Sequence, residues 1–326
     1  IQTDCSVLSS LDCVSCFAVN ALRLNYKKPI ICEEPNLELI ESRHPVIEKN
    51  LSTGEEYISN DLVLDTSNQQ IIILTGPNMS GKSALLRQVA LITLMSHMGS
   101  FVPAAHAKIP LTDKIFTRVG ASDNVSGGES TFLVEMNETA SILNNITERS
   151  LIILDEIGRG TSTYDGISIA WSIAEYLHQS PYKPKTLFAT HYHELNELEK
   201  KFNGIKNYHI TSREMGNKII FLRKLAPGGS THSFGIHVAK MAGMPGSLIN
   251  RANQILKQLE ESRGNENSTL YDGIKKLSAP QIQLSIFDAY TQTFQQIRQM
   301  LNELDINRLT PVEALLKLNE IKGLLK

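Results

Sequence analysis

Two hydrophobic periodicities organise this chain. Residues 4–25 place apolar side chains at helical spacing and predict an amphipathic helix, whereas apolar positions in 30–75 cluster or alternate between turn residues and predict strands. Further on, short stretches typical of buried strands at 71–74, 151–154 and 186–190 alternate with helical patterns. Strands that alternate with helices favour an α/β fold, in which helices cover a parallel-rich sheet.

The pattern changes again after residue 200. A hairpin is predicted from residues 206–214 and 218–225, followed by two helices, 234–243 and 246–259, joined at Met244-Pro245. Such a pair invites comparison with a DNA-reading helix-turn-helix. The second helix, however, balances its basic residues with glutamates and carries an apolar stripe, so we favour packing or dimerisation.

The last part of the chain differs in composition. Residues 263–282 are rich in Ser, Asn, Gly and Glu and predict a flexible linker. Gln283–Phe287 is short and apolar at its tip, and residues 289–304 have a helical pattern. Thr310-Pro311-Val312-Glu313 combines a cap, a proline and a glutamate, which predicts another helix start. We expect this tail helix pair to pack on itself or on another subunit.

The clearest chemical motif is the loop from Gly76 to Ser83, which lies between a predicted strand and a predicted helix. In that context the pattern G-x-x-x-x-G-K-[ST] predicts phosphate binding, because the backbone N–H groups and the helix N-terminus face the phosphate oxygens. We expect Lys82 to neutralise β/γ-phosphate charge and the Ser83 hydroxyl to ligate Mg²⁺. The predicted phosphate-binding residues are Gly76, Pro77, Asn78, Met79, Ser80, Gly81, Lys82 and Ser83.

Two acids, Asp155 and Glu156, end the apolar run at 151–154. A parallel strand delivers its last residues to the carboxyl edge of the sheet, beside the phosphate loop. Asp155 is then placed to hold the Mg²⁺ shell, and Glu156 to orient or deprotonate the attacking water. The spacing of some seventy residues after the loop makes this assignment much stronger than an acid after an apolar run would be alone.

Three further stretches leave alternatives open. His191–Glu194, at the end of strand 186–190, suits either a metal site or a polar contact to a γ-phosphate or its water, and we favour the contact. Tyr57-Ile58 is either part of an edge strand or a platform for a nucleotide base. Ser126–Ser130 is either a capped glycine turn or a backbone that something approaches closely.

Composition restricts the function further. The net charge of −2 argues against a strongly basic nucleic-acid-binding face. No run of about eighteen apolar residues and no signal peptide is evident, so we expect no membrane span. All four cysteines precede residue 33, and Cys13-Val-Ser-Cys16 has no second pair at zinc spacing. We predict that these cysteines are small buried hydrophobes in a reducing cytoplasm.

Five stretches also form a combined signature: Thr75–Ser83, Phe116–Gly120, Ser130–Met136, Asp155–Ser162 and Thr190-His191. Together they resemble the MutS DNA mismatch-repair ATPases, and the resemblance covers essentially the whole chain. It implies an ABC-type P-loop ATPase whose composite ATP sites form between two subunits. It also implies the C-terminal part of a bacterial member of the mismatch-repair branch, without the mismatch-reading, connector and clamp domains.

The resemblance gives roles to residues at matching positions. Asn78 and Lys82 would contact the phosphates of ATP, Ser83 and Asp155 would ligate Mg²⁺, and Glu156 would act on the hydrolytic water. These roles coincide with those assigned from the motifs themselves.

Further implied roles lie outside the phosphate loop and the acids. His191 would be the switch histidine, and Tyr57 would stack on adenine next to Ile58. Ser130 would reach the γ-phosphate bound by the partner subunit. Because Ser126-Gly127-Gly128 is more like the transporter signature than the usual MutS sequence, either Ser126 or Ser130 would make that contact.

The resemblance also implies a domain order. The predicted divisions are the end of a core and lever region at 1–28, the ATPase domain at 29–232, a helix-turn-helix dimerisation element at 233–262, the linker at 263–282, and a clamp-binding peptide with an oligomerisation tail at 283–326. Gln283–Phe287 would bind a sliding clamp; a plain apolar strand is the alternative. Implied partners are a second subunit, mismatched DNA through the missing domains, and a MutL-type protein, with no membrane.

Two functions therefore compete. The first is an Mg·ATP hydrolase whose turnover drives conformational change in a DNA-bound dimer, which intact Lys82, Asp155 and Glu156 favour. The second is a nucleotide-dependent dimerisation or assembly module that hydrolyses negligibly. A transporter or chromosome-maintenance ATPase would need membrane-coupling or coiled-coil segments, and a small-molecule kinase would need a second substrate pocket; the sequence indicates neither.

Overall fold

The computed structural model describes residues 1–52, 54–77, 80–120, 130–215, 218–230 and 235–257, together with Lys317. The chain divides into two compact units, Ile1–Ile249 and Asn250–Lys326. Several predicted features lie outside the described residues: Asn78, Met79, Ser126, the linker at 263–282 and the clamp-binding peptide Gln283–Phe287. The finer domain order therefore stays a prediction.

Helices and strands alternate along the first unit much as the hydrophobic pattern predicts. The first half contains α1 (Gln2–Arg23), β1 (Ile30–Cys32), β2 (Leu37–Ser42), α2 (Pro45–Lys49), β3 (Asn60–Leu64), β4 (Ile71–Thr75), α3 (Lys82–His97), β5 (His106–Pro110) and β6 (Lys114–Arg118). The second half contains α4 (Thr131–Asn144), β7 (Ser150–Asp155), α5 (Thr163–Gln179), β8 (Lys185–Ala189), a 3-10 turn (His193–Glu197), α6 (Leu198–Lys201), β9 (Ile205–Met215), β10 (Lys218–Pro227) and α7 (Gly235–Met241). Residues 246–257 form a further helix, α8.

The described strands form two sheets. The larger has six strands in the order β10-β9-β4-β8-β7-β6, and all neighbours are parallel except the β9–β10 hairpin. The smaller has four strands in the order β1-β5-β2-β3. The parallel-rich sheet and the hairpin predicted from the sequence are confirmed. Because β4, β8 and β7 are neighbours, the loops that follow them lie along one edge of the sheet.

The central strands are buried on both faces, as their continuous apolar runs predict. In β4, Ile71 and Ile73 face one hydrophobic cluster with α5, whereas Ile72 and Leu74 face a second cluster with α3 and the smaller sheet. This alternation follows from the two-residue period of a strand. The sheet thus lies between two hydrophobic clusters.

The first helix departs from the prediction. No residue of α1 is buried, and Cys13 and Cys16 are exposed, so the prediction of buried cysteines is wrong. The physical reason is that no described residue covers the apolar face of α1. By length and composition this helix could also span a membrane, with a mean hydropathy of 1.5. A single helix of this kind is weak evidence for a membrane span.

Candidate active site

The carboxyl ends of three adjacent strands bring the predicted chemistry together. The backbone N–H of Thr190 donates to the Leu74 carbonyl (3.0 Å), and that of Glu156 donates to the Ala189 carbonyl (2.9 Å). These bonds join the chain leaving β4, β8 and β7, so the phosphate loop, His191 and the two acids share one edge. The structure thus places the described residues of the predicted site together at this edge.

The phosphate loop is shaped by two glycines in left-handed conformations, Gly76 (φ 142°) and Gly81 (φ 108°), the second at the N-terminus of α3. A side chain other than hydrogen would strain the loop at both positions. The Lys82 ammonium is almost fully buried and donates to the carbonyls of Gly76 and Pro77. Burial lowers the pKa of Lys82, and the nearby carboxylates of Glu156 and Asp155 offset part of that effect.

The carboxyl group of Asp155 fits a cation site. Its Oδ1 atom is buried and has no hydrogen-bond partner among the residues that the structure describes. Burial raises the pKa of Asp155, while a hydrogen bond from Ser83 and the charges of Lys82 and Arg87 lower it. An uncompensated buried acceptor beside a hydroxyl matches the oxygen ligands that Mg²⁺ prefers. Ser83 and Asp155 are the residues that would hold the ion.

Replacing Asp155 with Asn should stabilise the chain without ligands at neutral pH. A raised carboxyl pKa in the folded state means that its stabilising contribution is full below about pH 3.8 and is lost as pH rises through the folded pKa. At pH 7 the wild type therefore has a buried charge that Asn lacks. We expect the melting temperature of the Asp155→Asn variant to rise by roughly 2–4 °C at pH 7. The gain should vanish near pH 4; a variant that melts below the wild type at pH 7 would contradict this account.

Glu156 adopts an unusual backbone conformation for a residue with a side chain, with φ 56°. Its Oε2 atom forms an ion pair with the Arg159 guanidinium at 2.6 Å. The Glu156 side chain is mostly buried and that of Arg159 is mostly exposed, so the pair lies at the mouth of the site. The contact with Arg159 was not predicted from the sequence. A spacing of three residues predicts an ion pair where both residues lie in one helix, whereas Glu156 and Arg159 lie in a turn.

His191 lies beside the same charges. Although the residue remains exposed overall, protein packs closely around part of the ring, and this desolvation lowers the pKa of His191. Its ring is 4.1 Å from that of Tyr192 between centroids. Nowhere in the described part of the chain do three His, Cys, Asp or Glu side chains group as a metal site, so the alternative with His193 and Glu194 gains no support. A neutral imidazole suits a polar contact instead.

A pocket of about 240 Å³ adjoins the start of α3. Tyr57 and Ile58 line it together with Gly81 of the phosphate loop. The Tyr57 hydroxyl donates to Gln88 Oε1 at 2.8 Å, and burial raises the pKa of Tyr57 to about 12. Tyr57 precedes β3, so the edge-strand interpretation is wrong for this residue. Gln88 and the pocket residue Arg223 were missed, because only the folded chain brings them to Tyr57.

Ser130 occupies the N-cap position of α4 and is exposed. It is not among the residues that line the pocket beside Tyr57. Its surface position leaves its hydroxyl available to another molecule, while Ser126 lies outside the described residues. The choice between the two serines therefore stays open.

Comparison with known proteins identifies the family. The family described as MutS domain V matches residues 72–260, which is more than half of the chain. The chain belongs to the MutS family. Its MutS relatives include the DNA mismatch repair proteins MutS of Christiangramia forsetii (60% identical over 325 residues) and Bacteroides thetaiotaomicron (58% over 330 residues). Each alignment covers the whole of this chain, but the chain spans only 37% and 38% of the length of these relatives.

The matched range contains most of the candidate site. Lys82, Asp155, Glu156 and His191 all lie within residues 72–260, and so does Ser130. Tyr57 and Ile58 lie before it and belong instead to the longer alignments with the MutS relatives. The resemblance seen in the sequence motifs is thereby confirmed at the level of the family.

Proposed function

We propose that this chain is the ATP-hydrolysing part of a bacterial DNA mismatch-repair protein, with an ABC-type P-loop fold. One observation carries the proposal. The phosphate loop, the buried Asp155 carboxylate oxygen and Glu156 lie together at one sheet edge, next to a pocket that Tyr57 lines. Membership of the MutS family supports the same activity.

The bound nucleotide would contact both the pocket beside Tyr57 and the phosphate loop at the start of α3. Tyr57 and Ile58 would contact adenine in the pocket, with the Tyr57 ring held by Gln88. The loop from Gly76 to Ser83 would surround the phosphates, and the Lys82 ammonium would exchange its loop carbonyls for phosphate oxygens. Mg²⁺ held by Ser83 and Asp155 would supply neutralisation of phosphate charge.

Hydrolysis needs a base and a contact at the γ-phosphate. Glu156 would accept a proton from a water whose oxygen attacks the γ-phosphorus, and the bond from that phosphorus to the bridging oxygen of ADP breaks. His191, close to Glu156 and Lys82, would donate a hydrogen bond to the γ-phosphate or the water. The products are ADP and phosphate.

A second subunit would complete the site. Ser130, exposed at the start of α4, would contact the nucleotide of the partner, and residues 233–262 would support the dimer. In the longer protein, turnover would change the conformation of a dimer bound to mismatched DNA in the cytoplasm. A sliding clamp at Gln283–Phe287 and a MutL-type partner complete the proposed assembly.

A nucleotide-dependent assembly module is the second candidate. Two contacts favour it for the chain by itself: the Glu156 carboxylate is paired with Arg159, and the Lys82 ammonium is bonded to loop carbonyls. Both groups would need to be released before hydrolysis. In that case ATP binds and promotes association, but turnover is negligible.

Steady-state hydrolysis of Mg·ATP over a range of protein concentrations tests the proposal. We expect activity per chain to rise with concentration, because Ser130 of a second subunit completes each site. The Ser130→Ala variant should weaken this rise, whereas Ser141→Ala, an exposed serine further along α4, should not. Bound ATP without turnover at any concentration would favour the assembly module, and absence of ATP binding would contradict both candidates.

A further inference from the structure

Gly158, two residues after Glu156, is held at both of its backbone polar groups. Its N–H donates to Glu135 Oε1 at 2.6 Å, and its carbonyl accepts from the Tyr192 hydroxyl at 2.8 Å. Both hydrogen bonds are buried, so neither is in competition with water. We call these two contacts the Gly158 clamp. No sequence motif indicates it, because Glu135 and Tyr192 lie 23 and 34 residues away.

Glu135 reaches the clamp from α4 and has a charged partner of its own. Its side chain is almost fully buried, and Oε2 lies 3.5 Å from the Arg118 guanidinium at the end of β6. Arg118 also forms an ion pair with Glu138 at 3.0 Å. A buried carboxylate with one oxygen on a guanidinium and the other on a backbone N–H has a fixed orientation. It therefore sets the position of the loop relative to α4.

Close packing reinforces the clamp. A Cβ atom on Gly158 would lie 2.7 Å from the Gly166 carbonyl oxygen, and a Cβ on Gly166 would lie 2.2 Å from the Tyr192 hydroxyl. Gly158 also has φ 87°, which disfavours any residue with a side chain. The loop, α5 and the Tyr192 ring are thus in direct contact, and neither glycine has room for a Cβ atom.

Three elements of the candidate site meet at this point. The loop carries Glu156, α4 carries Ser130 at its N-terminus, and Tyr192 directly follows His191. We propose that Glu135 and Tyr192 are positioning residues, which act through Gly158 to hold Glu156 in place for hydrolysis. The clamp would make the position of Glu156 depend on α4 and on the chain at His191. This inference rests on the proposed ATPase function.

The Tyr192→Phe variant tests the clamp, since it removes only the hydroxyl that bonds the Gly158 carbonyl. We expect kcat for ATP hydrolysis to fall about tenfold while KM changes less than about twofold, because misplacement of a catalytic group slows the chemical step. Hydrogen exchange of the backbone at 156–160 should be faster than in the wild type.

Glu135→Gln tests the other contact of the clamp. It keeps an acceptor for the Gly158 N–H but loses the ion pair with Arg118, so its fall in kcat should be smaller than that of Tyr192→Phe. Since both variants loosen one loop, the double variant should lose less than the product of the two effects.

Two controls separate positioning from general destabilisation. Tyr176→Phe removes an exposed hydroxyl from α5 and should leave turnover unchanged. Ile173→Val deletes a buried methyl group from the core beside α5, so it should lower the melting temperature without lowering kcat.

If Tyr192→Phe matches Tyr176→Phe in turnover, or loses no more kcat than Ile173→Val, the proposal is overturned. If the wild type hydrolyses no ATP, the proposed function fails separately. Unchanged hydrogen exchange at 156–160 in Tyr192→Phe would then still overturn the clamp.

Discussion

Replacing Glu156 with Gln should reduce ATP turnover by about 10²–10³-fold and leave ATP affinity within about twofold. Glutamine has nearly the same shape and keeps an acceptor for Arg159, but it cannot take a proton from water. The backbone of Glu156 is fixed by its bond to the Ala189 carbonyl and by the contacts of Gly158, so the substitution should not move the loop. Single-turnover hydrolysis and titration with a fluorescent ATP analogue would measure the two quantities.

The matched control for this variant is Glu148→Gln, which makes the same charge change at an exposed residue between α4 and β7. It should hydrolyse ATP at the wild-type rate. If turnover persists in Glu156→Gln, Glu156 is not the base, and a fall in ATP affinity as large as the fall in turnover would give it a binding role instead.

The edge of the larger sheet was predictable because its strands have a strong local signature. The strands at 71–75, 150–155 and 185–189 contain continuous apolar runs at 71–74, 151–154 and 187–189, and such runs occur where a parallel sheet is covered on both faces. Once the strands are parallel, their last residues must share one edge. The convergence of Lys82, Asp155 and His191 therefore followed from sequence order alone.

The contacts that orient these residues were not predictable. Tyr57 meets Gln88 across 31 residues of sequence, and Glu135 meets Gly158 across 23, and neither spacing has a periodic pattern. Such pairs depend on how α3 and α4 pack on the sheet, which the sequence does not encode locally. The cysteines of α1 were mispredicted for a related reason: helical periodicity shows that a face is apolar but does not show what covers it.

Replacing Lys82 with Met should weaken ATP binding by at least about 100-fold, or ~2.7 kcal/mol, without lowering the melting temperature by more than about 3 °C. Affinity and stability respond differently because burying the ammonium costs free energy of folding, whereas the same ammonium neutralises phosphate charge when ATP binds.

Burial lowers the pKa of Lys82 below 10.5. Between the folded pKa and 10.5 the unfolded chain therefore holds more protons than the folded chain, and the free energy of unfolding rises with pH. The stability of the Met variant relative to the wild type should therefore be greatest at neutral pH and decrease towards pH 10.

Lys185→Met is the matched control for that experiment. Lys185 is also fully buried and its pKa is also lowered by burial, but it lies at the start of β8, at the opposite end of the strand from His191. Both variants remove a buried ammonium, and only Lys82→Met removes one from the phosphate loop. If Lys185→Met weakened ATP binding equally, the loss would reflect the sheet as a whole. Unchanged ATP affinity in Lys82→Met would show that the loop does not use its lysine for phosphate.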